Sequence, residues 1–278
     1  MRDFPEPGHF CEESEALHRL LDPMKDVGFE RATLFKGWTV GDILTHLHFW
    51  NGAAALSLAD AAGFAGFLAR LRTELPRSGL REMENTAVAP LRGRALLRAW
   101  RERCSELADR FAAADPQSRL PWAGPDMSAR SSISARLMET WAHAQAIYDL
   151  LGVERVDTDR IRSIAFLGVN TFGWTFRNRG EEPPAPPPHV RLTAPSGAQW
   201  RWNEAQEDRL VEGSATEFCQ VVAQTRNIAD TRLVVRGDAA ARWMAQAQCF
   251  AGPPQDPPAP GTRFKARSTG GARRTGPV

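Results

Sequence analysis

The sequence lacks the segments that direct a protein into or across a membrane. No uncharged apolar stretch reaches the roughly 20 residues that span a bilayer. The first residues, MRDFPEPGHFCEE, contain acids and prolines where a secretory signal has a basic start and an apolar run. The four cysteines are far apart and form no Cys-x-x-Cys pair, which excludes a zinc ribbon and a dense disulfide framework. These absences predict a cytoplasmic protein without a membrane partner.

Most of the chain has no net positive charge. The formal net charge is +2, and the final segment RFKARSTGGARRTGPV holds five basic residues and no acidic one. The residues before this segment therefore carry a net charge of −3. A nucleic-acid surface needs a stripe of Lys and Arg on the folded part of the protein. We therefore expect a small-molecule substrate and no nucleic-acid partner.

Helical periodicity dominates the first two-thirds of the chain. With 278 residues, 42% of them hydrophobic, the chain can form one large domain or two modest ones. The pattern predicts helices at residues 12–27, 40–58, 64–75, 90–114, 129–151 and 158–177. Thr39 followed by Asp42 is a capping signal for the second of them, because the Thr39 oxygen can accept a free backbone N–H of the first turn and the Asp42 carboxylate lies near the positive end of the helix dipole.

A proline-rich break, EEPPAPPP at residues 181–188, separates this helical part from the rest. Beyond it, HVRLT and QWRW flank a Pro-Ser-Gly turn and predict a hairpin, followed by a helix in SATEFCQVVAQT, a strand in TRLVVRG and a helix in DAAARWMAQAQCF. The predicted organisation is a helical domain over residues 1–180, a small α+β domain over 189–253 and a disordered basic tail over 254–278.

Two histidines interrupt the apolar pattern of the second predicted helix, in GWTVGDILTHLHFW. His46 and His48 lie about 200° apart on a helical wheel, so they face different ways. His46 shares the apolar face that points into the bundle, whereas His48 points to the flank. Taken alone, His46 is better explained as a core histidine bonded to a carbonyl or a neighbouring side chain, so a metal site needs a second feature.

The fifth predicted helix supplies a second pair of polar residues. Glu139 and His143 are four residues apart and therefore lie on one helical face, within an otherwise apolar helix. An exposed strip in which Arg136 pairs with Glu139 is the simpler interpretation. Alternatively, His46, Glu139 and His143 face the bundle interior as three ligands of a divalent metal, which leaves one coordination position open, as in catalytic zinc sites.

The same motifs resemble those of a known superfamily. GWTVGDILTHL is similar to the helix start and first ligand histidine of the DinB-like and maleylpyruvate isomerase superfamily, and METWAHAQ resembles its second motif. The spacing of 93 residues between His46 and Glu139 also agrees. Together with LTAPSG, these stretches resemble an actinobacterial subfamily of metal-binding proteins. The resemblance covers residues 16–254 and implies a mainly α fold, a DinB-like four-helix bundle with a small C-terminal α+β domain.

The resemblance also implies a function. The superfamily's ligands correspond to His46, Glu139 and His143, the usual metal is zinc or another divalent ion, and several members use the thiol mycothiol. A second-domain arginine of relatives corresponds to Arg226, which can clamp a carboxylate or simply lie on the surface. Many relatives have an Asp where this chain has Ala146.

We therefore expect a metal-dependent isomerase or transferase that activates mycothiol towards a small electrophilic metabolite. Two alternatives stay open: a thiol-independent metal enzyme of specialised metabolism, and a noncatalytic metal-containing protein that binds a small molecule. The aromatic pairs Phe49-Trp50 and Phe172-to-Phe176 are candidates for an apolar pocket beside the metal, or for plain core.

Overall fold

The computed structural model describes residues 4–264. Its helices are α1 (Glu6–Leu21), α2 (Val40–Ala59), α3 (Ala61–Ser78), α4 (Leu80–Val88), α5 (Gly93–Ala112), α6 (Ala129–Leu151), α7 (Arg162–Asn170), α8 (Phe172–Arg177), α9 (Ala215–Val222) and α10 (Asp238–Gln246). Its strands are β1 (Arg119–Leu120), β2 (Met127–Ser128), β3 (His189–Thr193), β4 (Gln199–Trp202), β5 (Leu210–Ser214) and β6 (Val234–Arg236).

Within residues 4–264, no helix combines the length and the apolar character needed to cross a bilayer. The fold is mainly α, as predicted.

Four helices, α1, α2, α5 and α6, pack on one another as a bundle. Most of α6 is buried, which explains why its apolar residues surround the helix instead of forming one stripe. Helices α3 and α4 lie against α2. The bundle therefore buries the faces of α2 and α6 that carry the candidate ligands.

Three helices differ from the sequence prediction. Helix α1 begins at Glu6, with Pro7 in its first turn, where a missing N–H costs no hydrogen bond. Helix α4 was not predicted, because its sequence LREMENTAV buries only Met83, Glu84 and Val88. The last predicted helix divides into α7 and α8 at Thr171, whose hydroxyl donates to the Leu167 and Gly168 carbonyls and competes with the helical ladder.

The C-terminal part contains a four-stranded sheet in the order β4-β3-β5-β6. The predicted hairpin is confirmed: β3 and β4 are antiparallel, with Val190 opposite Trp202. Strand β5 was not predicted, and it pairs with β3 in parallel. Helix α9 packs against α7, so this sheet domain contacts the helical domain directly.

The chain after α10 is more ordered than the sequence suggested. The Gln255 backbone N–H donates to the Gln248 side chain (2.9 Å), Asn227 Nδ2 to the Pro258 carbonyl (2.9 Å), and the Gly261 N–H to Asp230 (2.9 Å). The expectation of disorder from residue 254 is thus wrong for residues 254–264, because side chains of the sheet domain supply hydrogen-bond partners. Residues 265–278, the rest of the predicted tail, lie outside the described residues.

We expect truncation after Gly252 to destabilise the protein. It removes at least three hydrogen bonds to the sheet domain, worth about 1 kcal/mol each, which corresponds to a melting temperature lower by about 5–10 °C. Thermal melts compare this variant with a truncation after Phe264, which keeps all three hydrogen bonds. Equal melting of the two variants would contradict the assigned contacts.

Candidate metal centre

The start of α2 is set by local sequence and places His46 two turns into the helix. The Asp42 N–H donates to the Thr39 hydroxyl (3.0 Å), and the Thr39 N–H donates to the Asp42 carboxylate (2.9 Å). This capping box confirms the predicted signal. Helix α6 likewise begins where predicted, with the Ser128 hydroxyl accepting from the Ser131 N–H (3.1 Å).

His46, Glu139 and His143 meet in the bundle. Glu139 Oε2 lies 3.5 Å from His46 Nε2 and 3.2 Å from His143 Nε2. One donor atom from each residue lies within 4.8 Å of the others. Ligands about 2.1 Å from a tetrahedral zinc ion are about 3.4 Å from one another. Two imidazoles and one carboxylate at these separations therefore fit a divalent metal.

Glu84 of α4 is a site residue that sequence reasoning missed. Its Oε1 accepts a hydrogen bond from Trp50 Nε1 (2.8 Å) and lies 2.8 Å from His46 Nδ1. Glu84 Oε1 already accepts from Trp50, so His46 donates to it from Nδ1 and turns Nε2 towards Glu139. Such carboxylate–histidine pairs orient metal-binding imidazoles in other proteins. In the sequence, the only local sign of this contact is that His46 and Trp50 share a helical face. That pattern does not identify Glu84 as their partner.

Burial and charge oppose each other in this cluster. Burial lowers the pKa of His46, but hydrogen bonds with Glu139 and Glu84 outweigh it and raise the pKa to about 9. Burial likewise disfavours the Glu139 carboxylate, yet hydrogen bonds with His143 and His46 hold its pKa well below the usual range. Burial lowers the pKa of His143, in spite of Glu139. A carboxylate and a neutral imidazole are the forms that bind metals.

An aromatic wall covers one side of the cluster. Trp38 stacks on the His143 ring at 5.7 Å, and the Phe35 ring meets His143 edge-on at 5.0 Å. Both aromatics belong to a tight turn in which Lys36 and Gly37 have positive φ (51° and 69°) and the Trp38 N–H donates to the Phe35 carbonyl. The turn therefore presents two rings to His143 and limits access of water to it.

The structure decides between the two interpretations of Glu139. Arg136, proposed as its surface partner, is buried and donates from Nε to the Asn51 side chain (2.9 Å). The ion pairs of Glu139 among the described residues are with His46 and His143. The polar strip of α6 therefore faces the bundle interior.

His48 lies apart from the cluster, as its wheel position predicted. It is buried, and it contacts Arg103 of α5, which donates to the His48 carbonyl (3.1 Å). Burial and the nearby Arg103 lower the pKa of His48 to about 4. His48 is not among the residues of the metal cluster.

Arg226 connects the sheet domain to α6. Its guanidinium forms a bidentate pair with Asp149 (2.7 and 2.8 Å), and both side chains are largely buried. Asp149 lies six residues after His143 on the same helix, and Ala146 between them is buried. Arg226 is therefore not a surface residue. Its ion pair with Asp149 must break before Arg226 can bind a substrate carboxylate.

Two further cations lie at the aromatic wall. The Arg263 guanidinium and Lys36 Nζ lie 5.2 Å and 5.5 Å from the centre of the Phe35 ring. Lys36 also donates to Gln255 (2.8 Å), which joins the turn to the C-terminal segment. Burial lowers the pKa of Lys36, and Arg263 adds to this effect. The C-terminal segment, predicted to be a disordered tail, thus reaches the neighbourhood of the metal cluster.

The aromatic pairs considered from the sequence have different places. Trp50 hydrogen-bonds Glu84, whereas Phe49 lines a cavity on the His48 side of α2. Phe172 and Phe176 are buried, and Phe172 packs on Trp243 of α10. Phe172 and Phe176 are therefore core residues where the two domains meet.

The helical bundle and the His-Glu-His cluster together define a DinB-like protein. Residues 10–148 match the family described as the mycothiol maleylpyruvate isomerase N-terminal domain. The chain belongs to this superfamily.

Similar proteins and a solved structure of similar fold cover most of the chain. An uncharacterised protein of Mycobacterium tuberculosis strain H37Rv is 36% identical over 253 residues, 90% of this chain and 98% of that protein, and one from strain CDC 1551 matches equally. A crystal structure of the mycothiol-dependent maleylpyruvate isomerase has a TM-score of 0.50 at 17% identity, covering 79% of this chain and 88% of that one. At this identity, the structural likeness shows a shared fold.

Proposed function

We propose that the protein is a zinc-dependent enzyme that activates mycothiol for isomerisation of, or transfer to, a small electrophilic metabolite. The observation that supports this most is the His46–Glu139–His143 cluster with Glu84 behind His46. Three protein ligands leave one position of a tetrahedral ion for an exchangeable group. A bound cation lowers the pKa of a thiol, ordinarily about 8.5, so that the thiolate is available at neutral pH.

The protein's own cysteines do not supply this thiol. Burial is the main cause that raises the pKa of Cys11, Cys104, Cys219 and Cys249 above that of an ordinary cysteine. A protonated buried thiol is a poor nucleophile. This supports a small-molecule thiol as the reacting group, in agreement with the mycothiol named in the matching family.

The surroundings of the cluster favour a partner with negative charge. Lys36 and Arg263 flank Phe35, and the Arg226–Asp149 pair is neutral as a unit. An electrophilic metabolite with a carboxylate is therefore favoured over a cationic one. In this proposal Arg226 has the catalytic role of clamping that carboxylate after exchange with Asp149.

Calorimetry with mycothiol tests the proposal. We expect zinc-loaded protein to bind mycothiol at least tenfold more tightly than metal-free protein, and more tightly than it binds S-methyl mycothiol, which cannot form a thiolate. Equal binding of the two compounds would contradict thiol activation. Turnover of an electrophile without mycothiol would favour the thiol-independent enzyme, and the absence of any exchangeable metal ligand would favour the noncatalytic binding protein.

A further inference from the structure

A cavity lies on the side of α2 that faces away from the metal cluster. It has a volume of about 460 Å³, is open to solvent, and is lined by residues of α2, α3, the end of α4, the connection from α4 to α5, and α5. Its apolar lining includes Phe49, Leu56, Phe67, Val88 and Leu91. Cavities of this size hold small organic ligands in other proteins.

Arg103 brings a positive charge to this apolar cavity. Its Nη1 donates to the His48 carbonyl (3.1 Å), and no other hydrogen bond or ion pair joins it to residues 4–264. Gly52 makes room for it, since a Cβ at this position would lie 3.1 Å from Nη1. Burial lowers the pKa of Arg103, although the nearby Glu106 and Cys104 oppose this effect.

His48 supplies a second polar group to the same cavity. Its side chain lines the cavity and is only 4% exposed, and its Nδ1 is buried without a hydrogen-bond partner among the described residues. Unpaired buried polar atoms are uncommon in folded proteins. The wall of this cavity therefore combines an apolar surface with the His48 imidazole and the Arg103 guanidinium.

We propose that this cavity binds a small monocarboxylate with an apolar body. The carboxylate pairs with the free donors of Arg103, which can bind it through two parallel hydrogen bonds. The apolar body contacts Phe49, Phe67 and Leu56. The site is separate from the metal cluster, because His46 and His48 project from opposite sides of α2.

Titration with octanoate and its neutral counterpart octanol tests this site on the full chain. We expect the wild type to bind octanoate at least tenfold more tightly than octanol, because only octanoate has a carboxylate that can pair with Arg103. Arg103→Met should remove this preference. Arg110→Met is the matched control, since Arg110 is an exposed arginine of the same helix, and it should leave octanoate affinity unchanged.

A second variant tests the cavity without removing the charge. Ala87 is exposed at the rim, so Ala87→Trp should block the cavity and weaken octanoate at least tenfold while zinc content stays normal. Equal octanoate affinity in Arg103→Met and Arg110→Met, equal affinity of the wild type for octanoate and octanol, or undiminished binding in Ala87→Trp would overturn the proposal. Zinc content reports separately on the metal centre.

Discussion

His46→Ala and His143→Ala are expected to lose the metal, whereas the native protein should contain about one zinc ion per chain. Each substitution leaves two protein ligands, and Glu139 then remains beside a single imidazole. Metal analysis after dialysis should show occupancy below about a tenth of that of the wild type. Added zinc should raise the melting temperature of the wild type but not of these variants, because ligand binding stabilises only a protein that binds it.

His48→Ala is the matched control for His46→Ala, since both histidines are buried on the same helix. We expect it to keep full zinc occupancy, because His48 faces the Arg103 cavity. Equal metal content in all three variants would refute the assigned ligands. Coordination of zinc by His48, with no exchangeable ligand, would instead indicate a structural metal and contradict the proposed catalytic role.

Glu84→Gln is expected to weaken zinc binding by about 10–100-fold, although Glu84 is not itself in the ligand cluster. The carboxylate accepts from both His46 and Trp50, so it fixes the imidazole orientation and increases its basicity. A glutamine keeps the size but removes the negative charge. It also removes one of the two carboxylates that raise the pKa of His46, so this pKa should fall from about 9 in the metal-free protein.

Glu82→Gln provides the control for Glu84→Gln, because Glu82 lies on the exposed face of the same helix. Competition with a chelator should give Glu82→Gln the zinc affinity of the wild type. NMR titration of the histidines in metal-free Glu84→Gln distinguishes a lost contact with His46 from unfolding. A lost contact lowers the pKa of His46 alone, whereas a general loss of structure changes the pKa values of the other histidines as well. Identical zinc affinities of the two variants would show that the Glu84–His46 contact does not support the metal.

Local sequence predicted the elements whose ends are marked by side chains. The Thr39–Asp42 capping box marks the start of α2, and the Pro-Ser-Gly turn marks the hairpin of β3 and β4. Helix α4 and strand β5 carry no comparable signal. Helix α4 buries few residues, and β5 forms its sheet contacts with β3, which lies earlier in the chain.

For the site, the four-residue spacing by itself determined that Glu139 and His143 share one face of α6, and the wheel positions separated His46 from His48. The approach of His46 to that pair was implied by the resemblance and is a result of packing α2 on α6. Only the tertiary structure brought Glu84 to His46 and the segment with Arg263 to Phe35. Helical periodicity acts over a few residues, whereas these contacts join residues 38 or more positions apart through the packing of separate elements.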